Sequence, residues 1–143
     1  MLEAALCSVP MADTDPDWYA LRNLLYAQEY ERAEALVATR PELTHLMNGI
    51  GETVLHFLAV ENDQAAVAWL HARGSDINTK DLFGEPVLFQ VASLGYKELF
   101  SWLVAAGADP FAKGPHDQDL FDYLLEFDKE EMADWVRGQI DGL

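Results

Sequence analysis

Gly51-Glu52-Thr53-Val54-Leu55-His56 and Gly84-Glu85-Pro86-Val87-Leu88-Phe89 are one phrase written twice, 33 residues apart. The first copy closes on Gly74-Ser75-Asp76-Ile77-Asn78 and the second on Gly107-Ala108-Asp109-Pro110-Phe111. Between opening and closing, Ala59 matches Ala92, Trp69 matches Trp102 and Leu70 matches Leu103. A fixed period of this size signals a repeat architecture, in which each unit is too small to bury its apolar face alone and must stack on its neighbours.

Working outward, the same register finds two weaker copies. Downstream, Trp135 stands one period after Trp102, Val136 after Leu103 and Phe121 after Leu88. The opening glycine there has become Asp117, and Asp117 or Asp119 is expected to cap a helix. Leu120, Phe121, Leu124 and Leu125 are expected to form the inner face of the first helix of this copy, and Met132, Ala133, Trp135 and Val136 that of the second. Upstream, Trp18, Leu21, Leu24 and Leu25 share one helical face, with Asp15 or Asp17 as cap and Pro16 in the first turn. A second helix is expected from about Glu31 to Thr39, stopped by Pro41. In the central copies, Thr53 opens a short helix to Val60, and Asp63 or Gln64 a second to Arg73, released at Gly74.

These residues resemble the ankyrin repeat family. Its T-P-L-H signature is matched by Thr53-Val54-Leu55-His56 and Pro86-Val87-Leu88-Phe89, and its closing pattern by the two Gly-x-Asp segments. The match is densest over 51–113 and departs where Val54 replaces a proline, Phe89 a histidine and Phe111 an asparagine. The resemblance implies an all-α solenoid of stacked helix-turn-helix units joined by β-turn hairpin loops. The expected division is a flexible leader over 1–15 and a repeat domain over 16–143. Its units span about 17–49 (a degenerate cap), 50–80, 81–113 and 114–140 (a second degenerate cap).

Composition narrows the function. The chain has 143 residues, half of them hydrophobic, and a net charge of -16 from 25 acids against 9 bases. That balance disfavours nucleic acid and anionic membranes, and would steer a basic protein inward. Cys7 is the one cysteine and cannot form an internal disulfide. The N-terminal apolar patch lacks a basic start, so it reads poorly as a signal peptide, and the cytoplasm is the expected location.

No phosphate-cradling glycine loop, metal-ligand spacing or nucleophile elbow is present in the sequence. His56 sits at the motif position, where a structural hydrogen bond between repeats is expected, and His45, His71 and His116 are scattered. No enzyme activity, metal or cofactor is therefore expected. The dense acidic run from Asp117 to Asp134 reads first as a solvated capping surface.

The resemblance implies that a protein partner is bound on a concave face made of turn tips and first helices. Carried over by position, its residues are Ile50, Glu52 and Glu61 in one unit, Leu82, Phe83, Glu85 and Leu94 in the next, and His116, Glu126 and Phe127 in the last. Apolar groups rimmed by charge mark interaction surfaces. Phe83 is the expected anchor, and Phe83→Ala and Glu85→Lys are expected to weaken binding without unfolding. The expected function is non-catalytic protein recognition by a monomer. Its rivals are an immunity- or antitoxin-type inhibitor of a basic toxin or nuclease, and a structural or regulatory subunit of a larger complex.

Overall fold

The computed structural model describes residues 14–141. Cys7 and most of the expected leader lie outside the described residues, as do 142–143. Four helix pairs follow one another along the chain: α1 (Pro16–Tyr26) with α2 (Tyr30–Thr39), α3 (Val54–Val60) with α4 (Gln64–Ala72), α5 (Val87–Ser93) with α6 (Lys97–Ala105), and α7 (Leu120–Glu126) with α8 (Glu130–Asp141). A 3-10 turn, Pro41–Thr44, follows α2, where the proline ring ends the α-helix but tolerates a tighter first turn. Each first helix packs against the next one in sequence, α1 on α3, α3 on α5 and α5 on α7.

The local chemistry explains where each helix begins. Asp15 caps α1 through a bond from the Asp17 amide, with Pro16 at the first helical position. Thr53 accepts from the His56 amide at 3.2 Å, Asp63 from Ala66 at 3.2 Å, and Asp119 from Asp122 at 2.9 Å. Of the two acids weighed for the last unit, Asp119 is the cap. Asp117 instead inherits the glycine's conformation, with φ +61° where Gly51 and Gly84 have +79° and +82°. Asparagine and aspartate reach this left-handed region more readily than other side chains. The turn inside each helix pair repeats the device at Gln28, Asn62, Gly95 and Asp128.

Stacking builds one continuous core. Leu21 and Leu25 of α1, Leu55 and Leu58 of α3, Leu88 and Val91 of α5, and Leu120 and Leu124 of α7 are all buried. The second helices cover it with Ala33 and Val37, then Val67 and Leu70, then Leu99 and Leu103, then Met132 and Val136. One expectation fails: Leu125 is exposed, and Tyr123 takes the inward position in α7. The helix starts at Leu120, so Tyr123 and Leu124 lie one turn on and face the core, while Leu125 rotates past it. The periodic tryptophans are half-buried at the seams between units. His71 meets Trp102 edge-on at 5.8 Å and Phe100 meets Trp135 at 5.5 Å. Arg73 lies over Trp69 at 3.7 Å while it pairs with Glu34 of the preceding unit at 2.8 Å.

Between units the chain makes a tight hairpin. Isolated antiparallel bridges join Met47 to Thr53 and Lys80 to Pro86, one period apart. The amides of Asn48, Asp81 and Gly114 donate to the carbonyls of Glu52, Glu85 and Gln118, at 2.9, 3.2 and 2.8 Å. Consecutive tips touch closely. A Cβ on Gly51 would stand 2.5 Å from the Leu82 nitrogen, whereas one on Gly84 would stand 3.4 Å from the Pro115 Cα. Gly51→Ala therefore meets both left-handed strain and a backbone overlap, and Gly84→Ala the strain alone. The strain costs ~1–2 kcal/mol in each, and losing the bond made by the Leu82 amide adds ~0.5–1.5 kcal/mol in the first. Thermal unfolding should show Gly51→Ala lowering the midpoint by roughly twice as much as Gly84→Ala. Equal shifts would mean that the first pair of tips is not in contact in solution.

Candidate functional site

The residues assigned to partner binding fall on two rows. Ile50, Leu82, Phe83 and His116 occupy the hairpin tips. Glu61, Leu94 and Phe127 cap the C-terminal ends of the first helices α3, α5 and α7, with Glu126 beside the last. Leu82, Phe83, Leu94 and Phe127 are 70, 62, 47 and 52% exposed. Ile50 is half-buried, because its tip is covered by the next one and its carbonyl accepts from the Leu82 amide at 2.9 Å.

Each tip is held by one side-chain oxygen. Asn48 Oδ1 accepts from the amides of Ile50 and Glu52, at 3.1 and 2.9 Å. Asp81 Oδ1 accepts from the equivalent amides of Phe83 and Glu85, at 2.9 and 3.0 Å. In the last unit this position is Gly114, with no side chain to do so. Gln118 replaces it from across the turn, its Oε1 accepting from the His116 amide at 2.7 Å. A Cβ on Gly114 would stand 2.7 Å from that oxygen, so the glycine makes room for the glutamine. The side-chain amide of Gln118 then donates to Glu126 at 3.0 Å.

A polar chain runs behind the tips and links three units. His56 Nε2 faces Gln90 Oε1 at 2.9 Å, and Gln90 Nε2 donates to Asp81 and Glu85 at 3.1 Å each. The Tyr123 hydroxyl donates to the other oxygen of Glu85. The Tyr123 ring packs on Phe89 at 5.2 Å and on Phe127 at 4.9 Å. Phe89, where the motif has histidine, is thus the buried apolar floor beneath Tyr123.

The arrangement modifies the expectation for two of the assigned acids. Glu85 is half-buried and receives bonds from two side chains, so Glu85→Lys would break the chain that positions the tip as well as alter its charge. Glu52 receives the Asn48 side-chain amide at 3.1 Å, and its carbonyl receives the Trp18 indole N–H at 3.1 Å. Sequence reasoning missed Gln90, Tyr123 and Asp81. The signal was available, since Gln90 and Tyr123 stand one period apart at a position whose earlier occupant is Phe57. The Gln90 amide and the Tyr123 hydroxyl, where Phe57 has a bare ring, are polar groups that need partners once covered.

Against this geometry, residues 55–104 match the family model for ankyrin repeats (many copies). This span carries ankyrin repeats. Ankyrin repeats are protein–protein interaction modules, and the family is typically non-catalytic. Among curated proteins, none matches the chain. The matched span runs from α3 through most of α6, and so includes the tip with Leu82 and Phe83. Among the described residues, no group of acids, histidines and cysteines could hold a metal ion, and no helix is long and apolar enough to cross a membrane.

Burial, then the neighbouring Glu85 carboxylate, push the Tyr123 hydroxyl well above the usual tyrosine range. The folded state therefore holds this proton more tightly than the unfolded chain does. The associated stability is complete below about pH 10 and declines as pH rises beyond it, because unfolding then releases a proton. Denaturant titrations across this range should show wild-type stability falling with pH, with a shallower slope for Tyr123→Phe. Parallel slopes would mean that Tyr123 ionises as readily in the ankyrin-repeat fold as in the unfolded chain.

Proposed function

We propose that this ankyrin-repeat chain recognises a basic protein through its hairpin tips and the adjoining ends of its first helices, without catalysis. The observation that carries the reading is the exposure of Leu82 and Phe83 side by side on a tip whose backbone is fixed by Asp81. Large apolar groups on a rigid element bind with little ordering cost, and aromatic side chains are the usual anchors. Leu94 and Phe127 extend the apolar surface at the far ends of α5 and α7.

Charge supports the choice of partner. The ion pairs of Asp15, Asp17 and Glu42 with Arg40, of Glu29 with Arg32 and of Glu34 with Arg73 all lie at or before Arg73. From Gly74 to Asp141 there are fourteen acidic residues against five basic ones, and among the described residues none of those acids forms an ion pair. Their field extends into solvent about a Debye length, ~8 Å at physiological salt, and accelerates encounter with a cationic surface.

Affinity for a basic partner protein, isolated on the immobilised chain, should fall at least tenfold in Phe83→Ala, the loss typical of an interface anchor of ~1.4 kcal/mol or more. Association should slow as salt rises, while Tyr26→Ala, on the exposed end of α1, leaves binding unchanged. Unchanged affinity in Phe83→Ala, measured by calorimetry on a variant with wild-type melting, would remove the tips from the interface. Salt-independent association would remove the basic partner.

A further inference from the structure

The hairpin tips are tied together on one side of Phe83 and open on the other. Leu82 donates its amide to the Ile50 carbonyl of the preceding tip at 2.9 Å. One period on, the donor would be residue 115 and the acceptor the carbonyl of Phe83. Residue 115 is proline and has no N–H. Among the described residues no donor reaches the Phe83 carbonyl. The spacing of the tips follows. The virtual Cβ of Gly51 meets the next tip at 2.5 Å, and that of Gly84 meets it at 3.4 Å, so the second seam is wider where the bond is missing.

Three properties coincide at this seam. A main-chain acceptor is unused, two large apolar side chains, Leu82 and Phe83, flank it at 70 and 62% exposure, and the surrounding half of the chain carries the un-neutralised acids. An unpaired main-chain acceptor on a fixed hairpin is a template for an added extended strand. The acid excess selects the charge of that strand. We infer that the seam between Phe83 and Pro115 receives an extended cationic segment of the partner, which donates a main-chain N–H to the Phe83 carbonyl and lays apolar side chains against Leu82 and Phe83. This rests on the reading of the tips as the binding face. It adds the conformation of the bound segment and the atom that registers it. In this reading Pro115 keeps the seam open, because any other residue would supply the donor that closes it.

The test uses the full chain and a short peptide of alternating arginine and valine as probe, with its glutamate–valine counterpart as control. The arginine peptide should bind and the glutamate peptide should not. A series of peptides, each N-methylated at one position, should contain one whose affinity drops about tenfold, as expected for the loss of a single hydrogen bond in a partly desolvated site. Pro115→Ala should weaken the parent peptide by a similar factor, with the new amide at 115 protected from hydrogen exchange. If the parent peptide fails to bind, or binds equally well after every N-methylation, the strand-addition proposal is overturned. Equal binding to Pro115→Ala whose amide is protected overturns it as well. The two levels separate through Phe83→Ala. Peptide affinity lost in that variant but indifferent to N-methylation leaves the tips as the binding face and removes the strand geometry, whereas affinity unchanged in Phe83→Ala removes the face itself.

Discussion

The register between units depends on how one hairpin tip meets the next. At the first full seam the Leu82 amide reaches the Ile50 carbonyl at 2.9 Å, and Gly51 is the residue that allows the approach, since a Cβ there would overlap the Leu82 nitrogen. Left-handed φ at Gly51, Gly84 and Asp117 turns each tip the same way, so each first helix starts from the same orientation and meets the preceding one along the same apolar face. Stability in such an array is a sum of unit and seam terms. A seam is therefore both a structural quantity and a local one, and units can differ in how tightly they are joined without losing the common core.

Most of the fold was legible because the 33-residue period constrains both the core and the turns. Thr53, Asp63 and Asp119 cap helices for reasons of local chemistry, and the paired leucines follow from helical spacing. What the period did not show were substitutions compensated from elsewhere. Gly114 looks like a simple loss of the Asn48 and Asp81 side chain, yet Gln118 supplies the oxygen from the opposite strand of the turn. Leu125 looks like a core leucine by hydrophobicity, yet the helix phase set by the Asp119 cap turns it outward and brings in Tyr123, whose hydroxyl has Glu85 as its partner. Both cases involve a polar atom satisfied by a residue outside its own position in the repeat, and pattern matching compares positions one at a time.

The site was legible to a lesser degree for a related reason. Tip and helix-end positions could be carried over, and Leu82, Phe83, Leu94 and Phe127 are exposed at them. Which of the acids are available could not be read from position. Glu52 and Glu85 are engaged by Asn48, Gln90 and Tyr123, all neutral donors, so their geometry is fixed without an ion pair. A carboxylate fixed by neutral donors contributes to the outward field more than one cancelled by an arginine.

The two halves of the chain thus differ in how they treat charge. In the first, Arg40 gathers Asp15, Asp17 and Glu42, and Arg73 joins Glu34 across a seam while lying over Trp69, so cations serve cohesion between elements. In the second, Lys97 and Arg137 face the rings of Trp135 and Phe121, and no acid beyond Arg73 is paired among the described residues. Unpaired like charges repel one another and weaken the compact state, while exposed pairs contribute little to stability. The second half must therefore be held by its apolar core and by the tyrosine–glutamate–glutamine chain. A cationic segment bound there would relieve repulsion that the fold leaves standing, so a partner that neutralised these acids would also stabilise the last two units.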